Sequence, residues 1–348
     1  MQANLAIIME VNKFLLSFSL LTSTLTAQSG LDIFFVDVEG GGATLIVTPE
    51  KESILVDTGW KREDRRDPIR IQEAIQLAGL KQIDYLITTH FHRDHYGGTL
   101  QLSEMIPIRS FLDHGLMTGL SEDAQFKERY AEYERAHGGK RRSLSPGETI
   151  PLKQGSVPLK VTCLASNGKT ISRSGPPNSA CADLPQAEED PSDNARSVGI
   201  IVQFGNFEFL DLGDLTWKVE ARLVCPTNLI GQVDAYQVTH HGLRNSSNPV
   251  LVRSVQPTVS IINNGPKKGG HPQVFSLLKS VSSIQDIFQG HRNTETGSAN
   301  NTDPDLIANL GSEEGCSGNL IQLSVSPDAR SFTVTNGRNG LSRRYEVR

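Results

Sequence analysis

Cysteine is scarce in this 348-residue sequence, with only Cys163, Cys181, Cys225 and Cys316. None forms a CxxC pair, which excludes a zinc ribbon and a thioredoxin-type site. One or two disulfides stay open, and Cys163 with Cys181 would close a loop of suitable size. An excess of positive charge is also missing: 34 Lys+Arg stand against 39 Asp+Glu, a formal net charge of -5. A globally basic nucleic-acid binder is therefore excluded, while a local basic groove is not. There is no GxSxG motif, and Gly315-Cys316-Ser317-Gly318 lacks the strand–turn–helix setting of a nucleophile elbow. No Gly-rich loop ends in Lys-Ser/Thr, so ATP chemistry has no support. Glycine (31) and proline (17) are frequent but not periodic, which excludes collagen-like repeats. What remains, 37% hydrophobic and 21% charged, suits a chain with a packed core.

Long hydrophobic runs are absent too. The longest candidate, residues 14–21 after Lys13, is too short for a membrane span. Followed by small and polar residues up to Ala27, it reads as a signal peptide over residues 1–27, with Met9 a candidate start. The expectation is an exported protein, periplasmic or secreted, with no membrane span in the mature chain of residues 28–348.

The remainder alternates strands and helices, which argues a layered α/β domain. Residues 31–36, 44–47 and 53–56 read as strands bounded by turn residues. Asp67-Pro68 reads as a helix start, with Asp67 as N-cap and Gly79 as the stop. Residues 83–87 form a strand that runs into His90. A polar helix is expected over 121–137, and further strands over 197–202, 207–210, 233–238, 319–325 and 331–335. Residues 165–193, rich in Gly, Pro, Ser and acids, read as a long insertion: a lid, or a loop with no role. Residues 290–318 read as loop.

The segment that carries chemistry is His90-Phe91-His92-Arg93-Asp94-His95-Tyr96-Gly97-Gly98. Imidazole nitrogens and a carboxylate at this spacing, in an irregular loop just past a strand, suit zinc, manganese or iron. Gly97-Gly98 lets the backbone turn tightly into the next helix.

HxHxDH after a strand resembles the signature of the metallo-β-lactamase superfamily. The resemblance implies an αββα four-layer sandwich and further ligands from later strand ends. Phe209-Leu210-Asp211-Leu212-Gly213-Asp214 makes Asp214 the carboxylate shared by two metals. Thr239-His240-His241-Gly242 makes His241 the last imidazole ligand. Val56-Asp57-Thr58-Gly59 resembles the early Asp-x-Gly motif, in which Asp57 would buttress the metal loop by hydrogen bonds. A narrower similarity, over residues 31–335, is to the ComEC-type competence-protein C-terminal hydrolase domain. Asp37, in Phe35-Val36-Asp37-Val38-Glu39-Gly40-Gly41-Gly42-Ala43, and Asn194, in Asn194-Ala195-Arg196-Ser197, belong to that likeness as residues supporting the site. Asn263-Asn264 and Gly270-His271-Pro272 complete its order.

The sequence departs from the superfamily pattern at one ligand: Asn194, beside Asp193, stands where a third histidine is usual. The first metal site would then be His90, His92 and Asp214, and the second Asp94, His95 and His241 with Asp214 shared. Two zinc ions are expected, with manganese as the alternative. His114 is a second candidate for the gap, against the plainer reading of a loop histidine. A water between two cations would become a hydroxide nucleophile near neutral pH, with Asp94 as orienting carboxylate. His271 would donate to a leaving group or hold a phosphate, unless it merely opens the helix at Pro272.

The resulting expectation is a metallo-hydrolase, of phosphodiesterase or nuclease type by the narrower likeness. The alternatives are a lactone, ester or β-lactam hydrolase acting on a small molecule, and a metal-stabilised binding protein without catalysis. Lys61, Arg62, Arg65, Arg66 and Arg70 form one basic cluster, and Arg135, Lys140, Arg141 and Arg142 another. Either would guide a nucleic-acid backbone or serve as a solvated face.

Overall fold

The structure, a computed structural model, describes residues 29–312 and 315–348. The expected signal peptide lies outside the described residues. Among them the chain forms two sheets. The first contains β1 (Leu31–Phe35), β2 (Thr44–Val47), β3 (Ser53–Val56), β4 (Ile83–Ile87), β5 (Ile108–Asp113) and β6 (Arg141–Ser143). The second contains β7 (Leu159–Ser166), β8 (Lys169–Thr170), β9 (Gly199–Phe204), β10 (Phe207–Asp211), β11 (Ala235–Gln237), β12 (Val259–Ile262), β13 (Asp286–His291) and β14 (Ile307–Asn309). The chain then returns to the first sheet with β15 (Ile321–Val325), β16 (Ser331–Asn336) and β17 (Ser342–Glu346). The spatial orders are β17-β16-β15-β1-β2-β3-β4-β5-β6 and β14-β13-β12-β11-β10-β9-β7-β8.

Both faces of both sheets are covered, so the central strands are apolar on each side and read as nearly continuous hydrophobic runs. Ile33 and Phe35 point into the space between the sheets, where they meet Val202, Phe209, Ile261 and Phe288. Phe34 and Leu45 point the other way, against α1 (Arg66–Leu77), α3 (Thr99–Ser103) and α4 (Phe126–His137), which follows the short α2 (Arg93–Tyr96). Leu210 and Tyr236 of the second sheet bury under α5 (Trp217–Val224), α6 (Pro249–Val255) and α7 (Pro272–Ser280). Helix, sheet, sheet and helix make the expected αββα sandwich.

Several local expectations shift. Helix α1 starts at Arg66 after Arg65 in the left-handed region, so Asp67 sits inside the first turn. Its carboxylate accepts from Trp60 N–H at 2.8 Å instead of capping the helix. The polar helix begins at Phe126 rather than at 121. Strands β14 and β17 appear where a loop and nothing were expected.

Residues 165–193 are structured. β7 and β8 form a hairpin, and Cys181 is bonded to Cys225 at the end of α5. Asn178 Nδ2 donates to Val224 O at 2.8 Å and to Ser254 Oγ at 2.7 Å. The suggested Cys163–Cys181 pairing is therefore wrong, because the two sides of the second sheet separate them. Cys163 faces the core between the sheets, while Cys181 and Cys225 pack on the helix side.

Candidate metal centre

Parallel strands β3–β6 and β10–β14 deliver their carboxyl ends to one edge of the sandwich, the usual place for a site in such sheets. His90, His92, Asp94 and His95 follow β4. Asp214 follows β10, and His240 with His241 follows β11. The tight group is Asp94, His95, Asp214 and His241, all buried, with one donor atom from each within 4.8 Å of the others. Asp214 Oδ2 is its hub. His95 Nε2 lies 3.1 Å away, His240 Nε2 3.3 Å, His241 Nε2 3.5 Å and His90 Nε2 3.8 Å. Asp94 Oδ2 stands 3.3 Å from His95 Nε2 and 3.4 Å from His241 Nε2.

Burial opposes charge on His95, yet Asp214, Asp94 and Asp57 raise its pKa well above the usual imidazole value. Burial likewise opposes ionisation of Asp94 and Asp214, but the surrounding imidazoles, and Lys268 beside Asp94, hold both carboxyls well below their usual range. Burial and neighbouring His95 depress His90, and its Nε2 is buried with no hydrogen-bond partner. An orphaned imidazole nitrogen, and nitrogens converging on a shared carboxylate oxygen, form a donor set that fits a divalent metal.

Asp57 sets the direction of the cluster. It accepts from Thr89 N at 2.8 Å and Thr89 Oγ1 at 2.7 Å, and its Oδ2 lies 2.6 Å from His95 Nδ1. With Nδ1–H donated to Asp57, His95 turns Nε2 to the centre, where a metal would take the place of the Nε2 proton. The Gly-rich turn before β2 explains itself here. A Cβ on Gly41 would lie 2.3 Å from Asp94 O, and one on Gly42 would lie 2.8 Å from both Asp57 Oδ2 and His95 Nδ1.

Other expected residues are placed differently. His92 Nε2 turns to Glu122 Oε1 at 3.3 Å, leaving it outside the tight group. Asn194 is buried with Oδ1 unpartnered, and it is Ser197 Oγ that accepts the Asp214 N–H, at 3.2 Å. His114 does not fill the missing ligand place. It bonds Asp193 Oδ2 at 3.0 Å, and the same oxygen accepts Phe91 N–H at 2.7 Å. His271 caps α7: its Nδ1 accepts Gln273 N–H at 3.3 Å. From that loop the side chain that reaches the cluster is Lys268, whose Nζ contacts Asp94 Oδ2 and lies 5.3 Å from the Trp60 ring centre. Asp37 stands apart, paired with His291 and Arg70.

Sequence reasoning missed Lys268, His240 and Asp211. His240 and His241 occupy consecutive left-handed conformations, φ 56° and 54°, a strain typical of functional turns. Burial depresses His240 to about 4. Behind the cluster, Thr44 Oγ1 donates to Gln237 Oε1 at 2.6 Å and Gln237 Nε2 to Asp211 Oδ2 at 3.0 Å.

Both basic clusters are largely neutralised. Lys61 pairs with Glu132, Arg62 with Asp64, Arg65 with Glu104, Arg66 with Glu39 and Arg70 with Asp37. Arg141 pairs with Asp113 and Arg142 with Glu148. At the mouth, Trp60, His92, Arg93, Asp94, Glu122 and Asp123 line a cleft of about 150 Å³. A broader cleft of about 480 Å³ lies between residues 186–190, Thr216, Trp217, Arg244, Asn245 and Gln273. No helix among the described residues is long and apolar enough to cross a membrane.

Residues 37–167 match the model of the metallo-beta-lactamase superfamily. The chain is 21% identical over 272 residues to ComE operon protein 3 of Bacillus subtilis, covering 72% of this chain and 31% of that protein. It is 34% identical over 95 residues to Recombination protein 2 of Haemophilus influenzae, covering 26% and 12%. The matches thus span at most about a third of these curated relatives. Among solved structures, CmlA, a diiron beta-hydroxylase from Streptomyces venezuelae, aligns with a TM-score of 0.44 at 15% identity, covering 74% of this chain and 52% of that one. The sandwich, the ligand-bearing loop after β4 and the matched stretch agree: residues 37–167 are similar to the metallo-beta-lactamase superfamily, and the chain is similar in sequence to part of ComE operon protein 3.

Proposed function

We propose that this protein is an exported, metal-dependent phosphodiesterase acting on short or single phosphodiesters. The observation that carries this reading is Lys268 set against Asp94 of the buried cluster, with Arg93 exposed on the same cleft. Two cations beside a metal-ligand group suit a substrate that brings negative charge and gains more in its transition state. The neutralised basic clusters favour a short substrate over a long nucleic-acid track. The Cys181–Cys225 disulfide supports an oxidising compartment.

Asp94, His95, Asp214 and His241 would hold one divalent ion, zinc or manganese. A second would use His90, His92 and shared Asp214, and requires His92 to leave Glu122. A divalent ion held there supplies Lewis-acid polarisation and lowers the pKa of a coordinated water. Asp94 orients the attacking water. Lys268 swings from Asp94 to a non-bridging phosphoryl oxygen as substrate enters, and Arg93 receives the outer phosphate charge.

The test is turnover of bis(p-nitrophenyl) phosphate by zinc- and manganese-loaded protein. Metal-dependent hydrolysis is expected, abolished in Asp94→Ala and reduced by about 10²-fold in Lys268→Ala. Bound metal with no phosphodiester turnover, alongside hydrolysis of a lactone or β-lactam, would overturn this reading in favour of carbonyl chemistry.

A further inference from the structure

Asp37, expected beside the catalytic metals, instead meets His291 and Cys316. His291 Nε2 lies 2.7 Å from Asp37 Oδ1. Cys316 Sγ lies 3.4 Å from Asp37 Oδ2 and 4.0 Å from His291 Nε2. One donor atom from each falls within 4.8 Å of the others. The residues come from three distant places: the chain after β1, the end of β13 and the approach to β15. Asp37 and His291 are buried, and half-buried Cys316 lines a cleft of about 360 Å³ with Glu39, Arg62, Arg66 and Arg70.

We propose that Asp37, His291 and Cys316 form a second metal site, separate from the catalytic centre, for zinc or a similar thiophilic divalent ion. Tetrahedral zinc holds sulfur at about 2.3 Å and nitrogen or oxygen at about 2.0–2.2 Å, so its donors sit roughly 3.3–3.6 Å apart. The observed separations, 2.7 Å from His291 Nε2 to Asp37 Oδ1, 3.4 Å from Cys316 Sγ to Asp37 Oδ2 and 4.0 Å from Cys316 Sγ to His291 Nε2, fall on both sides of that range, with one donor atom from each residue within 4.8 Å of the others. The thiol is what distinguishes this group. The cluster at Asp214 offers only imidazole and carboxylate, whereas sulfur selects zinc over manganese or magnesium. An ion pair alone explains Asp37 with Arg70 and His291, but it requires no thiol. Here Gly318 N–H points to Cys316 Sγ at 3.4 Å, and Arg70 Nη2 holds Cys316 O at 3.0 Å, fixing the sulfur beside Asp37.

Binding releases two protons to solvent, one from the thiol and one shared between His291 and Asp37. The ion gains a thiolate, a neutral imidazole and a carboxylate oxygen, while Arg70 stays on Asp37 and the cleft supplies the fourth position. Since β1 and β15 belong to the first sheet and β13 to the second, the ion would staple the two sheets together.

Cobalt(II) titration of the full chain tests this through the thiolate-to-cobalt charge-transfer band in the near ultraviolet. Cys163 is buried in the core and Cys181 is bonded to Cys225, so the band reports on Cys316. It is expected in the wild type and in His241→Ala, and lost in Cys316→Ser and His291→Ala. Zinc should also protect wild-type Cys316 from alkylation, a readout independent of any variant's folding. No band in folded, cobalt-saturated wild type, a band surviving Cys316→Ser, or alkylation unchanged by zinc would overturn the proposal.

Discussion

At the residue scale, one buried carboxylate outside the tight ligand group orients one of its imidazoles. Asp57 fixes the His95 tautomer through its 2.6 Å contact with Nδ1 and ties Thr89 to the same spot. Asp57→Asn keeps the size but loses the charge that holds Nδ1–H. The variant is expected to bind catalytic metal about 10–100-fold more weakly, read by competition with a chromogenic chelator. An unchanged affinity would show that packing alone orients His95. Lys268 is the converse case, since no motif announces it. Its neighbours Lys267, Gly269 and Gly270 read as an ordinary turn, and only the approach of the loop after β12 to Asp94 reveals its position.

At the element scale, the turn before β2 and the start of α6 carry separable predictions. Gly42 leaves no room for a Cβ against Asp57 and His95. Gly42→Ala should therefore cost about 1–3 kcal/mol of stability and weaken metal binding together. Thermal melts with and without chelator measure both, and a loss in only one would separate packing from ligation. Glu220 of α5 is buried and accepts Ser247 N–H at 3.0 Å and Asn248 N–H at 2.8 Å, anchoring the chain that enters α6. Burial raises its pKa from 4.5 to about 7. A carboxyl raised on folding favours the folded state at low pH, and that contribution is lost as pH climbs from about 4.5 through 7. Glu220→Gln cannot ionise, so its stability relative to wild type should rise across that window by on the order of 3 kcal/mol. Denaturant melts at successive pH values would show the trend, and a flat difference would mean that Glu220 titrates normally.

At the scale of the whole molecule, the charge pattern and the disulfide matter more than any single contact. Because arginines of both basic clusters face acidic partners, few are free to displace counterions from DNA. Any DNA affinity should therefore weaken only shallowly between about 50 and 200 mM salt, with a slope far below that of a protein making 6–10 phosphate contacts. A steep slope in a filter-binding series would restore the nucleic-acid track. The Cys181–Cys225 bond closes a 44-residue separation and pins the 165–193 segment to α5. Replacing both cysteines with serine should cost about 2–4 kcal/mol in chemical denaturation.

The sequence by itself determined what periodicity and short-range spacing can encode. Apolar runs marked the buried strands, because both faces of each sheet are covered. HxHxDH after β4 marked the metal loop, because its ligands are close along the chain. Asp214 and His241 were legible only by ordered likeness, and both arrive at the cluster from the ends of β10 and β11. Tertiary structure alone decided which side chains share space across long separations. It set His114 on Asp193, His271 on its own helix, Cys181 with Cys225, and Lys268 beside Asp94. It also drew Asp37, His291 and Cys316 into one group. These contacts join residues from different layers, and their partners are fixed by how the two sheets and their helices pack, which no local pattern records.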